Sequence, residues 1–269
     1  YHAIRQSAGL LDLSPLTKIA VAGRDAAAFL SFVTSRDIHR LRPARVRYVA
    51  ICDEAGKLVD DGTVMNLGDG SYRLTAASPI WRWIDRFSAG FDVSLVDESD
   101  SIASLAIQGP RSRAILEQAV GDEIPLRYFQ LATMSLDGIP VEISRTGYTG
   151  DLGYELWCKA EHSTALWDRL MEAGKPHRLL PVGLDALDIV RIEAGFVLQG
   201  IDYYSAPTCL IESRKSSPFE AGIGFAVDLD RDSFVGSEAL EREKQMPPQW
   251  QLVGLELSLP DIEKLYSSV

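Results

Sequence analysis

Apolar residues along this chain recur with two different spacings. From Asp25 to Thr34 they fall as on a helix, with Phe29, Leu30, Phe32 and Val33 on one side. The same spacing predicts helices behind Ser78-Pro79 (Ile80, Trp83, Ile84, Phe87) and after Gln108-Gly-Pro110 (Ile115, Leu116, Ala119). It also predicts them over Ser163–Ala173 and Gly183–Ala194, where Asp188 and Arg191 are placed to pair on the surface. Strict alternation marks a strand in which Val46, Tyr48 and Ala50 oppose Arg47 and Val49. Further strands are predicted at Lys18–Ala22, Thr63–Leu67, Tyr72–Ala76, 91–96, 102–107, Ile139–Ser144 and Tyr154–Cys158. Near the ends, a helix over 2–9 is expected to close at Gly9. Gly222–Val227 is expected to be a buried strand, Glu238–Lys244 a short helix and Leu252–Leu257 a last strand. Hairpin-spaced strands with helices between them, and no regular βαβ alternation, predict an α+β fold.

The stretch Arg145-Thr-Gly-Tyr-Thr-Gly-Asp-Leu-Gly-Tyr-Glu155 stands out between two of these strands. Gly147, Gly150 and Gly153 recur at three-residue spacing among Tyr148, Tyr154 and Glu155. Such a backbone either turns sharply or lies close to something else. Two readings follow: a hairpin with a glycine-rich turn, or a loop that stacks a flat heterocycle and grips its polar edge. A nucleotide P-loop is excluded, because Asp151 follows Gly150 where Lys would stand. The adjacent acids Asp60 and Asp61 are the second place for chemistry. In an extended backbone they point to opposite faces, one toward solvent and the other toward a cavity. A cavity carboxylate can hold a positive charge or move a proton, whereas a solvated turn does neither.

The net charge of −11 over 269 residues argues against nucleic acid or an anionic membrane as partner. Cys52, Cys158 and Cys209 form no paired motif, and His2, His39, His162 and His177 show no metal-ligand spacing. No metal is expected, and the chain is placed in a reducing, cytoplasmic setting. There is no signal-peptide pattern and no apolar run of membrane-spanning length. Both ends are expected to be cut, since Tyr1 opens in mid-helix and Val269 closes no element.

Five stretches in order resemble the folate-binding aminomethyltransferase family. They are Ala3–Ser14, Gly56-Lys-Leu-Val-Asp-Asp61, Gln108-Gly-Pro110, Arg145–Gly150 with Gly153-Tyr-Glu155, and Arg191–Gly195 with Gly200-Ile-Asp202. The resemblance implies two interleaved α+β subdomains of antiparallel sheets with flanking helices around a central folate cavity. It places residues 1–20 and 101–200 in the first and 21–100 and 201–245 in the second. Residues 246–269 would be a linker and the start of a truncated C-terminal β-barrel domain.

The resemblance also implies roles. Asp61 would be catalytic, beside the reactive nitrogens of tetrahydrofolate, and Glu155 would grip the amino edge of the pterin. Tyr48, Tyr128 and Tyr148 would surround the folate, and Thr75 stands where the family has an asparagine. Pro15 and Leu187 replace a histidine and an arginine of members with glycine-cleavage activity. The implied function is therefore tetrahydrofolate-dependent transfer of a methyl or aminomethyl group from a small methylated amine or sulfonium compound. One alternative is aminomethyl transfer from a lipoyl carrier protein. Another is a non-catalytic folate-binding module joined to a flavin-dependent amine oxidase. The family-level pattern names neither the donor nor the oligomeric state.

Overall fold

The computed structural model describes residues 1–247 and 249–267. In chain order its elements are α1 (His2–Gln6), β1 (Gly9–Asp12), β2 (Thr17–Ala22), α2 (Ala26–Val33), β3 (Arg45–Cys52), β4 (Leu58–Gly68) and β5 (Ser71–Ala76). Then come α3 (Trp81–Asp85), β6 (Ser94–Asp97), β7 (Ile102–Gln108), α4 (Ser112–Val120), β8 (Leu131–Leu136), β9 (Ile139–Ser144) and β10 (Gly153–Lys159). The chain continues through α5 (Ser163–Gly174), β11 (Leu180–Pro181), α6 (Leu184–Glu193), α7 (Ser237–Lys244) and α8 (Leu259–Ser267). The strands build a six-stranded sheet, β11-β1-β7-β10-β9-β8, and a five-stranded sheet, β3-β4-β5-β2-β6. All pairs but β1–β11 are antiparallel, as the α+β reading requires.

Alternation along the strands decides what each sheet buries. Leu105, Ile107 and Leu156 cover the outer face of the larger sheet and pack on α4 and α5 through Ile115, Leu116, Leu166 and Leu170. Ile19, Val21 and Leu74 do the same for the smaller sheet, against Phe29, Leu30 and Val33 of α2. Each such fully buried side chain contributes roughly 2 kcal/mol. The inner faces meet where Val46 and Met65 pack on Leu131 and Trp157. Residues two or four positions away on the same strands, and their cross-strand partners, therefore share this inner space. On the smaller sheet they are Tyr48, Asp61, Thr63 and Thr75, since Tyr48 lies opposite Thr63 and Thr63 opposite Thr75. On the larger sheet the corresponding residue is Glu155.

The joint between the sheets is polar. The Arg73 guanidinium, with a side chain only 5% exposed, reaches Glu142 of the other sheet and sits 3.2 Å from Glu98. It also lies 5.9 Å from the centre of the Trp157 ring. Backbone hydrogen bonds tie β3 to the start of β8: Val46 N–H donates to Phe129 at 3.0 Å and Leu131 N–H to Ala44 at 3.1 Å. A third core, with Tyr203, Phe234 and Leu240 over Ala50, Cys52 and Leu58, folds residues 197–240 onto the end of β3 and β4.

Four local expectations change. The first helix ends at Gln6, and Gly9 opens β1 because a side chain there would strike Val182. The Asp188–Arg191 pair forms, but Arg191 is itself 2% exposed and also held by Asp202 and the Phe196 carbonyl, so only the Asp188 end of the pair lies at the surface. Gly222–Val227 is not a strand: Gly222 has φ of +77°, and Gly224–Ala226 is a single 3-10 turn. Leu252–Leu257 has no strand partner among the described residues and is exposed. Within the stretch expected to be a linker, Pro248, Ser268 and Val269 lie outside the described residues.

Gly62 sits beside Asp61 at the tightest approach between β4 and β5. A Cβ there would stand 1.8 Å from the Thr75 carbonyl oxygen, which is backbone and cannot swing aside. Gly62→Ala is expected to destabilise the fold by about 3 kcal/mol or more. Gly183→Ala, where nothing lies within 4 Å, should be near neutral, and denaturant unfolding of both variants tests the contrast.

Candidate active site

Asp60 and Asp61 lie side by side on β4, paired with Ile51 and Ala50 of β3. Neither carboxylate faces open solvent as a turn residue would. Asp60 is 0% exposed, which corrects the expectation that one of the two acids looks outward. Its Oδ2 accepts the Ser78 N–H at 2.8 Å, and its Oδ1 accepts the Asp61 N–H at 2.9 Å. The Ser78 hydroxyl donates to Gln199 Oε1 at 2.8 Å and does not cap α3, whose first turn follows Ile80. Asp61 is only partly covered. Its Oδ2 accepts the Tyr48 hydroxyl at 2.7 Å, a diagonal contact across β3 and β4, and its Oδ1 accepts the Tyr203 hydroxyl.

Burial controls the charge of this pair. It pushes the Asp60 carboxyl up to about 7, against the pull of the Ser78 N–H and with a push from the Asp61 charge. Burial also raises Asp61, and the Tyr203 and Tyr48 hydroxyls oppose that rise. Burial and the Asp61 charge together push all three neighbouring phenols (Tyr48, Tyr148, Tyr203) upward, so each stays a protonated donor. No lysine, arginine or histidine is among the main influences on either carboxyl, and neither forms an ion pair among the described residues. The result is a carboxylate held by neutral donors with no cation of its own, suited to stabilising a positive charge or accepting a proton.

The glycine-rich loop joins β9 to β10 as a hairpin connection. Its glycines have packing reasons. The buried Gln108 side chain lies inside the loop, donating to the Thr146 and Tyr154 carbonyls and accepting from the Thr149 hydroxyl at 2.9 Å. A Cβ on Gly147 or Gly153 would fall 2.0 or 2.2 Å from the Gln108 amide oxygen. Gly150 has φ of +75° and abuts Ala194. Arg5 fastens the loop to the rest of the chain, reaching Asp151 and the Thr149 carbonyl at 2.8 Å and Glu193 on α6.

The loop also borders a pocket of about 510 Å³ lined by Tyr128, Arg145, Thr146 and Phe196. Thr146 connects that pocket to Glu155, donating to Oε2 at 2.6 Å. Glu155 accepts no other side-chain hydrogen bond among the described residues, and burial raises its carboxyl. Tyr148 stacks on Phe196 at 5.6 Å, and its hydroxyl donates to the Val197 carbonyl.

The expected site residues thus fall into two groups. Tyr48 and Asp61 touch, while Tyr128, Tyr148 and Glu155 gather around the loop and its pocket. Tyr148 feels the charge of Asp61 and connects the groups. Tyr128 is 65% exposed at the rim, edge-on to Phe129 at 4.7 Å. Thr75 is 5% exposed, and its hydroxyl is spent on the Thr63 hydroxyl at 2.8 Å. Sequence reasoning missed Tyr203, which is 1% exposed and holds Asp61 directly. Its position directly after Gly200-Ile-Asp202 was the available signal.

A family model described as the GCVT N-terminal domain matches residues 1–231. Similar relatives include a trimethylamine-oxide aldolase of Ruegeria pomeroyi, 39% identical over 96% of this chain and 33% of that protein. They also include an aminomethyltransferase of Geobacillus kaustophilus, 38% identical over 96% of this chain and 70% of that protein. Among solved structures, the glycine cleavage system aminomethyltransferase T from Bartonella henselae superposes with a TM-score of 0.79 at 28% identity, over 91% of this chain and 65% of that one. A heterotetrameric sarcosine oxidase from Corynebacterium sp. U-96 shares the fold, with a TM-score of 0.51 at 18% identity. The chain belongs to the folate-binding aminomethyltransferase family, a family of transferases, through its GCVT N-terminal domain. It spans a third of the aldolase and about two thirds of the solved aminomethyltransferase T. No helix among the described residues is long and apolar enough to cross a membrane.

The raised Asp60 carboxyl ties stability to pH. The folded state binds this proton more tightly than the unfolded state, whose ordinary aspartate value is near 3.8, so its contribution is complete below that value and is lost as pH rises through about 7. Asp60→Asn has no such loss. The stability of this variant relative to the parent should therefore rise from about pH 4 to 7 and then level off. Urea unfolding across that range measures the difference.

Proposed function

We propose that this chain moves a one-carbon group to tetrahydrofolate from a small methylated amine or sulfonium compound, with Asp61 as the catalytic carboxylate. The observation that carries the reading is the Asp61 carboxylate, held by Tyr48 and Tyr203 with no cation paired to it among the described residues. Such a group favours a cationic one-carbon unit as it moves. The residues present fit a reduced pterin. Glu155 has acceptor capacity beyond its bond from Thr146, which suits a paired N–H edge. Tyr148 and Phe196 already stack and offer a flat wall, Tyr128 lines the same pocket as Phe196, and Tyr48 holds Asp61. Thr75 lies on the Asp61 side, with its hydroxyl turned to Thr63. Bound there, tetrahydrofolate would supply the nitrogen that accepts the one-carbon group.

In this reading residues 1–20 with 101–200 form the subdomain that carries Glu155. Residues 21–100 with 201–245 form the one that carries Asp61. The three cysteines are free, in keeping with a cytoplasmic setting. Pro15, Leu187 and Thr75 weigh against a lipoyl carrier protein as donor. Arg191 does not replace the arginine lost at Leu187, because Asp188 and Asp202 already hold its guanidinium. A second reading, a folate-binding module of a larger amine-processing protein with a fused oxidase domain as partner, is favoured by one fact. The chain matches only a third of a trimethylamine-oxide aldolase.

Tetrahydrofolate should raise the melting temperature of the parent in a concentration-dependent way, and Glu155→Ala should abolish the rise. Asp61→Asn should keep the rise and lose about a hundredfold or more in turnover. A panel of methylated amines, sulfonium compounds and an aminomethyl-lipoyl carrier protein identifies the donor. Ammonia released from the carrier protein would reverse the order of the readings. Binding without turnover of any donor would favour the module.

A further inference from the structure

We propose that Tyr203 and Asp60 form a proton relay behind Asp61, with Tyr203 as the link and Asp60 as the terminal acceptor. The relay deepens the transfer reading above and depends on it for its use. Tyr203 stands between two carboxylates. Its hydroxyl donates to Asp61 Oδ1 and lies 3.4 Å from Asp60 Oδ1. A phenol has one proton and so serves one carboxylate at a time, with lone pairs left to accept from the other. Asp60 does not touch the inner space that Asp61 faces: it is 0% exposed, and Tyr203 is 1% exposed. The second Asp60 oxygen is fixed by the Ser78 N–H at 2.8 Å, and the Ser78 hydroxyl is anchored on Gln199 at 2.8 Å. Asp60 thus receives N–H bonds on both oxygens and is linked to Asp61 by a phenol, which places a second carboxylate one hydroxyl away from the first.

The titratable groups facing the pair are Tyr203 and Tyr48, with Tyr148 and, behind it, Arg191 beyond them; no basic side chain forms an ion pair with either carboxyl among the described residues. Burial keeps Asp60 close to neutrality, where a proton acceptor is most useful at physiological pH. Transfer of a methyl group from a charged donor to a neutral N–H releases one proton. The donor's C–S or C–N bond breaks, its electron pair leaves with the neutral sulfide or amine, and the N–H proton is freed as the new C–N bond forms. Asp61 takes that proton and becomes a donor to the Tyr203 oxygen. The Tyr203 O–H then turns to Asp60 Oδ1 and delivers its own proton. Asp61 is ionised again and Asp60 is neutral, with atoms and charge conserved.

The test reads the protein first without ligand. Infrared difference spectroscopy across pH should show a carboxyl group titrating near neutrality in the parent, absent in Asp60→Asn. In Tyr203→Phe its midpoint should move upward, because a donor to the ionised form is gone. In single turnovers with tetrahydrofolate and a methylated sulfonium donor, both variants should slow by about tenfold or more, with the melting-temperature rise from tetrahydrofolate kept. The acid limb of the parent's pH profile should vanish in Asp60→Asn. A near-neutral titration that survives Asp60→Asn, or a Tyr203→Phe variant with unchanged midpoint and rate, overturns the relay. If the parent turns over no donor while the titration shifts as described, the transfer reading fails and the coupling of Asp60 to Asp61 through Tyr203 stands.

Discussion

Burying a carboxylate without a cation is costly, and among the described residues this fold does it three times: with Asp61 and Glu155 facing the space between the sheets, and with Asp60 behind Asp61. The cost is met by neutral donors: two backbone N–H groups for Asp60, two phenols for Asp61 and one threonine for Glu155. Such donors satisfy lone pairs without cancelling charge. An ionised Asp61 therefore keeps its charge unpaired among the described residues. Elsewhere the chain pairs its buried charges in the ordinary way, as Arg73 does with Glu98 and Glu142 and Arg191 with Asp188 and Asp202. The contrast separates the joints that hold the fold from the groups left available for chemistry.

Placement of those acids follows from the two-residue period of strands. Once Val46 and Met65 turn inward to meet Trp157, Tyr48 and Asp61 must turn inward beside them, and Glu155 must follow Trp157. A one-residue slip in β4 would exchange Asp61 for Asp60 and bury the wrong oxygen atoms. Gly62 protects the register on one side, because only glycine admits the Thr75 carbonyl so close. The bulge at Ile51 and Cys52 absorbs the irregularity on the other.

Much of this was legible in the sequence. Alternation at Val46–Ala50 and helical spacing at Phe29–Val33 both came from strong, long patterns, and the central hairpin announced itself through its glycines. The motifs also located Asp61 and Glu155. What could not be read was local and tertiary. Gly222 takes a left-handed conformation that no strand accepts, and Leu252–Leu257 is apolar sequence without a partner edge among the described residues. Arg191 looked like a surface residue because its acid at i−3 was visible and the second acid, Asp202, was not known to fold back onto it. Tyr203 was invisible for the same reason: it meets Asp61 across 142 residues of chain.

The side chain of Gln108 has a consequence for anyone who would move this loop elsewhere. Gly147 and Gly153 are shaped around an amide that belongs to β7, about forty residues earlier in the chain. Loop and strand form one inseparable module, in the way a lock's wards and its key bit are cut together. A graft that carries the loop alone would bring two vacant notches and three unanswered polar groups into its new host.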